Sequence, residues 1–481
     1  MTPSWKFCAA LFLSITTLTA QAVDEYDVVI KGGLVIDPET GLQDIRDVGI
    51  NGDTIQAVSR ESLSGKNVIN AKGLIVAPGF IDLHAHGQDL DNSRFQVMDG
   101  ITTALEMEIG VPDIDAYYKE RAGDSLNNFG ATIGLTRIRI DMTGDPGDLV
   151  PEKAAAKGTF TLEQLKVLFE RVDGGLAEGG LGVGIGLQYI PGATRQEIHE
   201  VFRIAQRHGA ANYVHIRHAG VDSHAGGVNA AEEVIAAAAI TGASLHIVHI
   251  NSSGGPDAPL MLDMVMSAQA QGLDITTECY PYGAGLTEIS SAIFDGDWQQ
   301  SFGIDYGDLQ WVATGERLNE DTFEVKRKET GSVILHMNPP ELVEQIVLHP
   351  VTMIASDGGL RDRKGHPRSA GSYARVLSKY VRESGQLPLM RAIVKMSLMP
   401  AMRLQSFAPA ASKKGRIQAG ADADIVVFDL ETIQDNATYI DPAQFSTGMK
   451  YVMVNGVFVV EGGELKEDRR PGTGLRAPIK D

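Results

Sequence analysis

Apolar, strand-like runs alternate with helical stretches along residues 80–400 of this 481-residue chain. The helical stretches include residues 162–172, 195–207 and 230–241, where apolar side chains recur at helical spacing. Strands that alternate with helices over about 300 residues indicate a parallel α/β domain, and a (β/α)8 barrel is the commonest solution at this size. The central region is therefore predicted to be a TIM-type barrel.

Short β-like runs flank this region at residues 23–79 and 401–465. We expect the two chain ends to pair into one small β-sandwich, so the predicted fold class is α/β: a (β/α)8 TIM-type barrel with a β-sandwich built from both ends. Residues 286–350 are long for one βα connection and are predicted to form an insertion over the barrel mouth or a packing arm. Residues 466–481 are predicted to be a tail that is loose from Pro471.

Composition and charge narrow the class of protein. With 43% hydrophobic and 22% charged residues, the chain can bury a sizeable core, which argues against disorder. The formal net charge of −20 repels phosphate backbones, so nucleic acid is not an expected partner.

The first 22 residues are predicted to be a cleaved signal peptide. Lys6 is their only charged side chain, residues 7–13 are apolar, and residues 20–22 read Ala-Gln-Ala, the small-x-small spacing of a signal-peptidase site. Because crossing a bilayer takes about 20 apolar residues, we expect no membrane anchor after cleavage and a periplasmic or secreted protein. Cleavage would leave Cys279 as the one cysteine, so no internal disulfide is expected.

Two histidines end the apolar run that opens the predicted barrel. Residues 78–86 read Pro-Gly-Phe-Ile-Asp-Leu-His-Ala-His. Because side chains alternate across a strand, His84 and His86 point to the same side, which at the C-terminal end of a barrel strand is the mouth. Neutral imidazoles suit zinc and similar divalent metals.

Further polar side chains end later predicted strands. His215 and His249 follow two apolar runs, and Asp357 follows a third. Each of them alone could be a satisfied core residue. Together with the two histidines of the first strand they favour a hydrolytic metal site in which a carboxylate moves protons.

The motif at residues 78–86, after a β-rich start, resembles the amidohydrolase superfamily, and residues 414–417, 420–426 and 454–456 resemble the strands that close its β domain. Within the superfamily the chain looks most like the D-aminoacylase (N-acyl-D-amino-acid deacylase) group, which includes D-glutamate deacylases. This resemblance covers nearly all of residues 26–460. Its motifs are Leu-Gln-Tyr-Ile-Pro-Gly at 187–192, His-Ile-Arg at 215–217, Tyr-Pro-Tyr-Gly-Ala-Gly at 280–285, Ala-Ser-Asp-Gly at 355–358 and Gly-His-Pro-Arg at 365–368.

The resemblance implies a metal-dependent hydrolase that cleaves the acyl-amide bond of a small N-acyl-D-amino acid, with N-acyl-D-glutamate as a candidate substrate. It also implies one or two zinc ions (Zn2+) as cofactor, and Asp357 as the catalytic carboxylate. The metal ligands that it implies are His84, His86, His215 and His249.

The same resemblance places a set of side chains on the substrate's carboxylate, and an arginine fork opposite a carboxylate is physically sound. The set comprises Arg368, Tyr280 and Tyr189, the tyrosines having core packing as their alternative. Arg139 also matches a group position, whereas Arg137 shares its face without such a match.

The resemblance fails at one metal ligand. D-Aminoacylases use a cysteine on the second barrel strand, but residues 100–110 contain none, and residues 181–189 lack the lysine that bridges two metals in many superfamily members. Glu106 and Glu108 alternate onto one face there, and a buried carboxylate is costly unless it is paired or metal-bound. We expect Glu108, nearest the strand end, to be the substitute ligand, with Glu106 or a structural pairing with an arginine as alternatives.

Two rival functions stay open at this point. Another amidohydrolase reaction, on a cyclic amide or a dipeptide, would use the same metal face, but a substrate without a carboxylate gives Arg368 nothing to bind. A non-catalytic binding protein on the same scaffold would usually lose metal ligands, and the near-complete set argues against it.

Overall fold

A ring of parallel strands forms the centre of the protein. The computed structural model describes residues 25–220 and 226–480, so the predicted signal peptide lies outside the described residues. Neighbouring strands pair in chain order, and the ring closes where Ala85 bridges to Gly358. Within the described chain, the first to eighth barrel strands are Phe80–Asp82, Ile101–Val111, Asn128–Gly134, Val183–Gly186, Ala211–His215, Ser244–Ile247, Ile275–Cys279 and Thr352–Ile354.

Amphipathic helices cover the outside of the barrel. Arg195–His208 is typical: it begins after Thr194, whose side chain accepts a hydrogen bond from the Glu197 amide, and ends at Gly209 in the left-handed conformation. Its buried residues recur every three or four positions, so one face packs on the barrel. No helix in the described ranges has the length and apolarity needed to cross a membrane.

The α-helices in and around the barrel are Leu90–Met98, Ile114–Arg121, Leu135–Thr143, Ala154–Lys157, Leu162–Ala177, Arg195–His208, Gly227–Thr241, Ile250–Gly254, Ala258–Ala270, Pro340–Leu348, Arg368–Arg375, Leu389–Ile393 and Met399–Gln405. Two π-helical segments, Val376–Glu383 and Val394–Leu398, continue the helices before them.

Both chain ends build one β domain, and the predicted fold class is confirmed. The C-terminal strand Ile425–Phe428 pairs antiparallel with Ile75–Pro78, which joins the two halves into one sheet. The sheet encloses a core of its own because alternate residues face inward. In the described part of the chain its strands are Tyr26–Asp37, Leu42–Asn51, Thr54–Ser59, Gly65–Asn70, Ile75–Pro78, Ile425–Phe428, Met449–Val454, Val457–Glu461 and Glu464–Leu465.

An insertion follows the seventh barrel strand and ends earlier than residue 350. Its strands Ala284–Glu288, Leu309–Trp311 and Ser332–His336 form an antiparallel sheet with a separate apolar cluster that includes Trp298 and Trp311. The helix Pro340–Leu348 buries its apolar face in the main core, so it belongs to the barrel. The packing-arm alternative also fails, because insertion residues line the cavity at the barrel mouth.

The C-terminal tail is docked under the barrel, so the expectation of a loose tail from Pro471 is wrong. The Phe129 amide donates to the Thr473 carbonyl at 3.1 Å, and the Leu475 amide donates back to Phe129 at 2.7 Å. Leu475 is 3% exposed and packs in the cluster that fills the lower barrel. The helix Met399–Gln405 contributes to the same cluster, so the barrel extends beyond residue 400.

We predict that Leu475→Ala lowers the free energy of unfolding by about 2–5 kcal/mol, because a buried leucine cut back to alanine leaves a cavity. Urea unfolding followed by circular dichroism measures the change. Ile479→Ala is the matched control, since Ile479 lies in the same tail but is 65% exposed, and it should change stability by less than about 0.5 kcal/mol. Equal unfolding midpoints for the two variants would contradict this account of the tail.

Candidate active site

The side chains proposed as ligands from the sequence meet at the C-terminal ends of the barrel strands. They come from the first, second, fifth, sixth and eighth strands or the residues just after them. All are buried apart from slight exposure of one imidazole edge. The residues that the structure brings together are His84, His86, Glu108, His215, His249 and Asp357.

One group of donors gathers around Oε2 of Glu108. This oxygen lies 3.1 Å from Nε2 of His84 and 3.2 Å from Nε2 of His86. Oδ1 of Asp357 lies 3.4 Å and 3.3 Å from the same two nitrogens. Two imidazoles and two carboxylates therefore face one point.

A second group gathers around Oε1 of the same carboxylate. Oε1 of Glu108 lies 2.7 Å from Nδ1 of His215 and 3.1 Å from Nε2 of His249. Each of the two groups has its donor atoms within 4.8 Å of one another, so each offers a site for one metal ion. Glu108 belongs to both groups and lies between them.

Glu106, the alternative ligand, makes different contacts. Its Oε2 lies 2.8 Å from Nδ1 of His86, on the ring edge away from the donor group. Its Oε1 accepts hydrogen bonds from the amides of Ile109 and Gly110, each at 3.2 Å. The structure thus places Glu108 among the donors and Glu106 behind them.

The donor set fits a divalent metal such as zinc, which takes imidazole nitrogen and carboxylate oxygen as ligands. Carboxylates ligate a cation in their ionised form. Burial raises the pKa of Glu108, but the charge of His84 and the hydrogen bonds from His215 and His249 hold it well below its usual range. Burial likewise raises the pKa of Asp357, and the Arg368 guanidinium and His84 outweigh that effect and lower it.

Two of these residues have unusual backbone conformations. His249 has φ of 29° and Asp357 has φ of 52°, in the left-handed region that residues other than glycine rarely adopt. Such a conformation costs about 1–3 kcal/mol and persists where the surrounding structure holds it. Here the bridge between Ala85 and Gly358 holds the turn beside Asp357.

Each histidine is also held at the ring nitrogen that faces away from the donors. Two of these outer partners are carboxylates and two are neutral side chains. The pairs are His84 Nδ1 with Glu278 Oε1 at 2.6 Å, His86 Nδ1 with Glu106 Oε2 at 2.8 Å, His215 Nε2 with Gln188 Oε1 at 2.8 Å, and His249 Nδ1 with Ser253 Oγ at 3.1 Å.

Glu278 was not predicted from the sequence. It lies in the seventh strand two residues before Tyr280 and so on the same face, and a carboxylate in a buried strand needs a partner. These two features could have indicated it. Cys279 between them is fully buried, as expected for a small apolar residue.

A cavity of about 460 Å³ opens beside the donors, a size that suits a small organic substrate. Tyr189, Tyr280 and Arg368, the residues predicted to bind the substrate's carboxylate, all line it. The insertion contributes apolar side chains to the same wall, including Leu286 and Phe302. The insertion therefore lies over the barrel mouth.

Arg368 is the buried cation of this cavity. It is 3% exposed, its Nη1 lies 2.9 Å from Oδ2 of Asp357, and its guanidinium stacks 4.6 Å from the centre of the Tyr280 ring. Among the described residues, neither Nε of Arg368 nor Oη of Tyr280 has a hydrogen-bond partner. Unpaired buried donors are costly, so these atoms are suited to an anionic oxygen of a ligand.

Arg139 does not reach the cavity, which corrects its expected role. Its Nη1 lies 2.8 Å from Oε1 of Glu197, both side chains are fully buried, and the guanidinium stacks on Phe160. The charge is therefore used to pair a buried carboxylate. Arg137 lines the cavity instead. The two were taken to share a face as in a strand, but they lie in the helix Leu135–Thr143, where residues two apart diverge.

A (β/α)8 barrel with two donor groups at its mouth and a cavity beside them is the architecture of a metal-dependent amidohydrolase. No protein-family model matches the chain. The chain is 30% identical to N-acyl-D-glutamate deacylase of Alcaligenes xylosoxydans xylosoxydans, over 94% of this chain and 97% of that protein. It belongs to the N-acyl-D-amino-acid deacylase family of the amidohydrolases.

Solved structures agree with this placement. The chain is similar to N-acyl-D-glutamate deacylase from Bordetella bronchiseptica, with a TM-score of 0.80 and 28% identity over 94% of this chain and 100% of that one. That protein was solved with zinc and a phosphonate inhibitor that mimics the tetrahedral intermediate of the reaction. A D-aminoacylase that defines a novel subset of amidohydrolases has a TM-score of 0.79 and 25% identity, with the same shares covered.

We predict that Glu108→Gln loses at least one metal ion per chain, because each donor group loses an anionic oxygen and the group with His215 and His249 keeps none. Glu106→Gln is the matched control: it removes the same charge from the same strand but changes only the outer partner of His86, so it should lose less metal than Glu108→Gln. Elemental analysis after dialysis against metal-free buffer measures the content. Equal metal loss in the two variants would show that Glu108 is not the shared ligand.

Proposed function

We propose that this protein is a zinc-dependent hydrolase that cleaves the acyl-amide bond of N-acyl-D-amino acids, N-acyl-D-glutamate among them, to a carboxylate and a free D-amino acid. The observation that carries the proposal is the position of Asp357, whose Oδ1 faces His84 and His86 while its Oδ2 contacts Arg368. One carboxylate thereby joins the metal donors to the cation of the cavity. The similarity of this chain to N-acyl-D-glutamate deacylases supports the D-amino-acid substrate.

One or two zinc ions would be held by the two donor groups that share Glu108. Bound zinc supplies a Lewis acid that polarises the acyl carbonyl and lowers the pKa of water. The buried histidines and carboxylates hold their donor atoms in place before any ion arrives, since each imidazole is fixed by a second hydrogen bond on its outer nitrogen.

Arg368 orients the substrate. Its unpaired Nε and the Tyr280 hydroxyl donate to the α-carboxylate of the amino acid, and burial makes these charge-assisted hydrogen bonds strong. Tyr189 lines the same cavity, and its hydroxyl already accepts a hydrogen bond from Thr287 at 3.3 Å. Because Arg368 also contacts Asp357, a carboxylate bound there brings the neighbouring amide close to Asp357.

Asp357 moves the proton. Its pKa is lowered, so it is ionised near neutral pH and accepts a proton from the attacking water. It then donates that proton to the departing amine nitrogen as the C–N bond breaks. One water is consumed, and the products are a carboxylate and a free amino acid.

The substrate test compares N-acetyl-D-amino acids, their L forms, and N-acetylalkylamines and cyclic amides that carry no carboxylate. We predict release of free amino acid from the D substrates, D-glutamate among them, with much slower release from the L forms. Carboxylate-free and cyclic amides should react poorly, because they leave Arg368 and Tyr280 unpaired. Amine release in a coupled assay, with ring opening followed by chromatography, measures the rates.

Asp357→Asn is the control for contaminating activity. It should lower kcat by about 10²- to 10⁴-fold, the usual contribution of a positioned acid–base group. The ion held by Glu108, His215 and His249 should stay bound, because Asp357 is not in that group. Wild-type turnover in this variant, or a wild-type preference for cyclic amides over N-acyl-D-amino acids, would contradict the proposal.

We further propose that the chain is exported and that residues 1–22 are removed. Support comes from the single positive charge, the short apolar run and the Ala-Gln-Ala at residues 20–22. The protein recovered from the periplasm or the medium should begin at Val23 when its N-terminus is sequenced. Recovery of a chain that begins at Met1 in the cytosol would contradict export.

A further inference from the structure

A chain of buried polar contacts runs from the donor groups toward the interior of the barrel. It begins at Nδ1 of His84, which lies 2.6 Å from Oε1 of Glu278. Oε2 of Glu278 lies 3.2 Å from Nε2 of His246, and Nδ1 of His246 lies 2.7 Å from the Thr276 hydroxyl. The side chains of His84, Glu278 and His246 are 0%, 1% and 0% exposed.

The strands explain why these side chains meet. Thr276 and Glu278 alternate onto the inward face of the seventh strand, and Tyr280 continues that face into the cavity. His246, on the neighbouring sixth strand, is the register partner of Thr276. The contacts therefore follow from strand pairing and need no loop to hold them.

Glu278 has no role in holding the substrate. It is not among the residues that line the cavity, and His84 lies between it and the donor point. A carboxylate this deeply buried is costly unless it is paired, and both of its oxygens face imidazole nitrogens. Of its contacts, the one with His84 lies nearest to the metal donor groups.

We propose that Glu278 is a positioning residue that fixes the tautomer and ring orientation of His84, an inference that rests on the proposed metal-binding role of His84. A neutral imidazole binds a metal through the nitrogen that carries no proton. By accepting a hydrogen bond from Nδ1, Glu278 keeps the proton there and leaves the lone pair on Nε2, which faces Glu108 and Asp357. Nε2 of His246 lies 3.2 Å from the second oxygen of Glu278, so both oxygens of the carboxylate face an imidazole.

Glu278 differs from the other three outer partners. Glu106, which holds His86, lines the cavity and would meet a bound substrate, and Gln188 lines it as well. Glu278 is separated from the cavity, so a change there reaches the reaction only through His84. That separation makes its effect on the metal measurable apart from any effect on substrate binding.

The test measures zinc affinity of the purified full chain by competition with a chelator, with no substrate present. Glu278→Leu keeps a similar volume but removes both acceptor oxygens, and we expect about 10- to 100-fold weaker binding of one zinc ion, as is usual when an outer partner of a metal ligand is lost. The kcat should fall at limiting zinc, whereas the KM for the N-acyl-D-amino acid should stay within about twofold because the substrate cavity is unchanged.

Thr277→Val is the matched control. Thr277 lies on the same strand and is equally buried, but its hydroxyl donates to the Ile247 carbonyl on the opposite face from Glu278. Its zinc affinity should equal that of the wild type. Unfolding midpoints of both variants establish that each one is folded.

Glu278→Asp separates charge from position. It keeps the charge but draws the carboxylate back by one methylene, so zinc binding should stay weakened if the hydrogen bond to Nδ1 is what matters. Wild-type zinc affinity in Glu278→Leu, or full recovery in Glu278→Asp, would overturn the proposal. Absence of amino-acid release by the wild type would instead overturn the proposed function, and the zinc measurement would still decide the role of Glu278.

Discussion

The site depends on one buried carboxylate, that of Glu108. A charge buried to 3% exposure costs several kcal/mol unless it is paired, and here each oxygen faces two imidazoles. The pairing requires that the first, second, fifth and sixth strands all end at one depth. Barrel geometry supplies that common depth, because parallel strands of a closed sheet present their C-terminal ends at the same rim. The fold that places these strand ends at one rim therefore also places the side chains of the site.

Closure of the barrel sets the remaining donor. The first and eighth strands meet through the bridge between Ala85 and Gly358, and the Ser356 amide and hydroxyl bond to Asp82 and to the His84 carbonyl, both at 3.1 Å. These contacts cross the seam of the ring and hold the left-handed turn at Asp357. The cost of that turn is offset by contacts that only a closed barrel makes, so closure of the ring positions the carboxylate of Asp357.

Short-range periodicity accounts for what could be predicted from the sequence. Alternation along a strand is a local property, so it placed His84 and His86 on one side and favoured Glu108, near the strand end, as a ligand. The error at Arg139 came from the resemblance, because Arg139 matches a position of the group but its side chain pairs with Glu197 in this fold. Local pattern carries no information about a partner far along the chain, which is why the contact of His84 with Glu278 was not foreseen.

The C-terminal tail also shows that local sequence pattern does not reveal partners far along the chain. Its proline and glycine residues carry no helical or strand period, yet Leu475 fills a space in the lower barrel that residues from five or more distant segments create. Backbone hydrogen bonds with Phe129 and side-chain contacts such as that from the Tyr118 hydroxyl to the Leu475 carbonyl hold the segment together with this side chain. Docking of such a segment depends on a space that forms only when the rest of the chain has folded. The local sequence of the segment therefore does not predict whether it docks.

Net charge is a poor guide to the substrate of this protein. A chain with a formal charge of −20 repels an anionic substrate at long range, but salt screens exposed charges beyond about 8 Å at physiological ionic strength. Inside the cavity the field comes from Arg368, which is 3% exposed and close to its ligands. Asp357 pairs with Nη1 of this guanidinium, whereas Nε has no partner among the described residues. In the function proposed above, a substrate carboxylate would bind the unpaired donor, so substrate binding and the orientation of Asp357 would be coupled through one guanidinium.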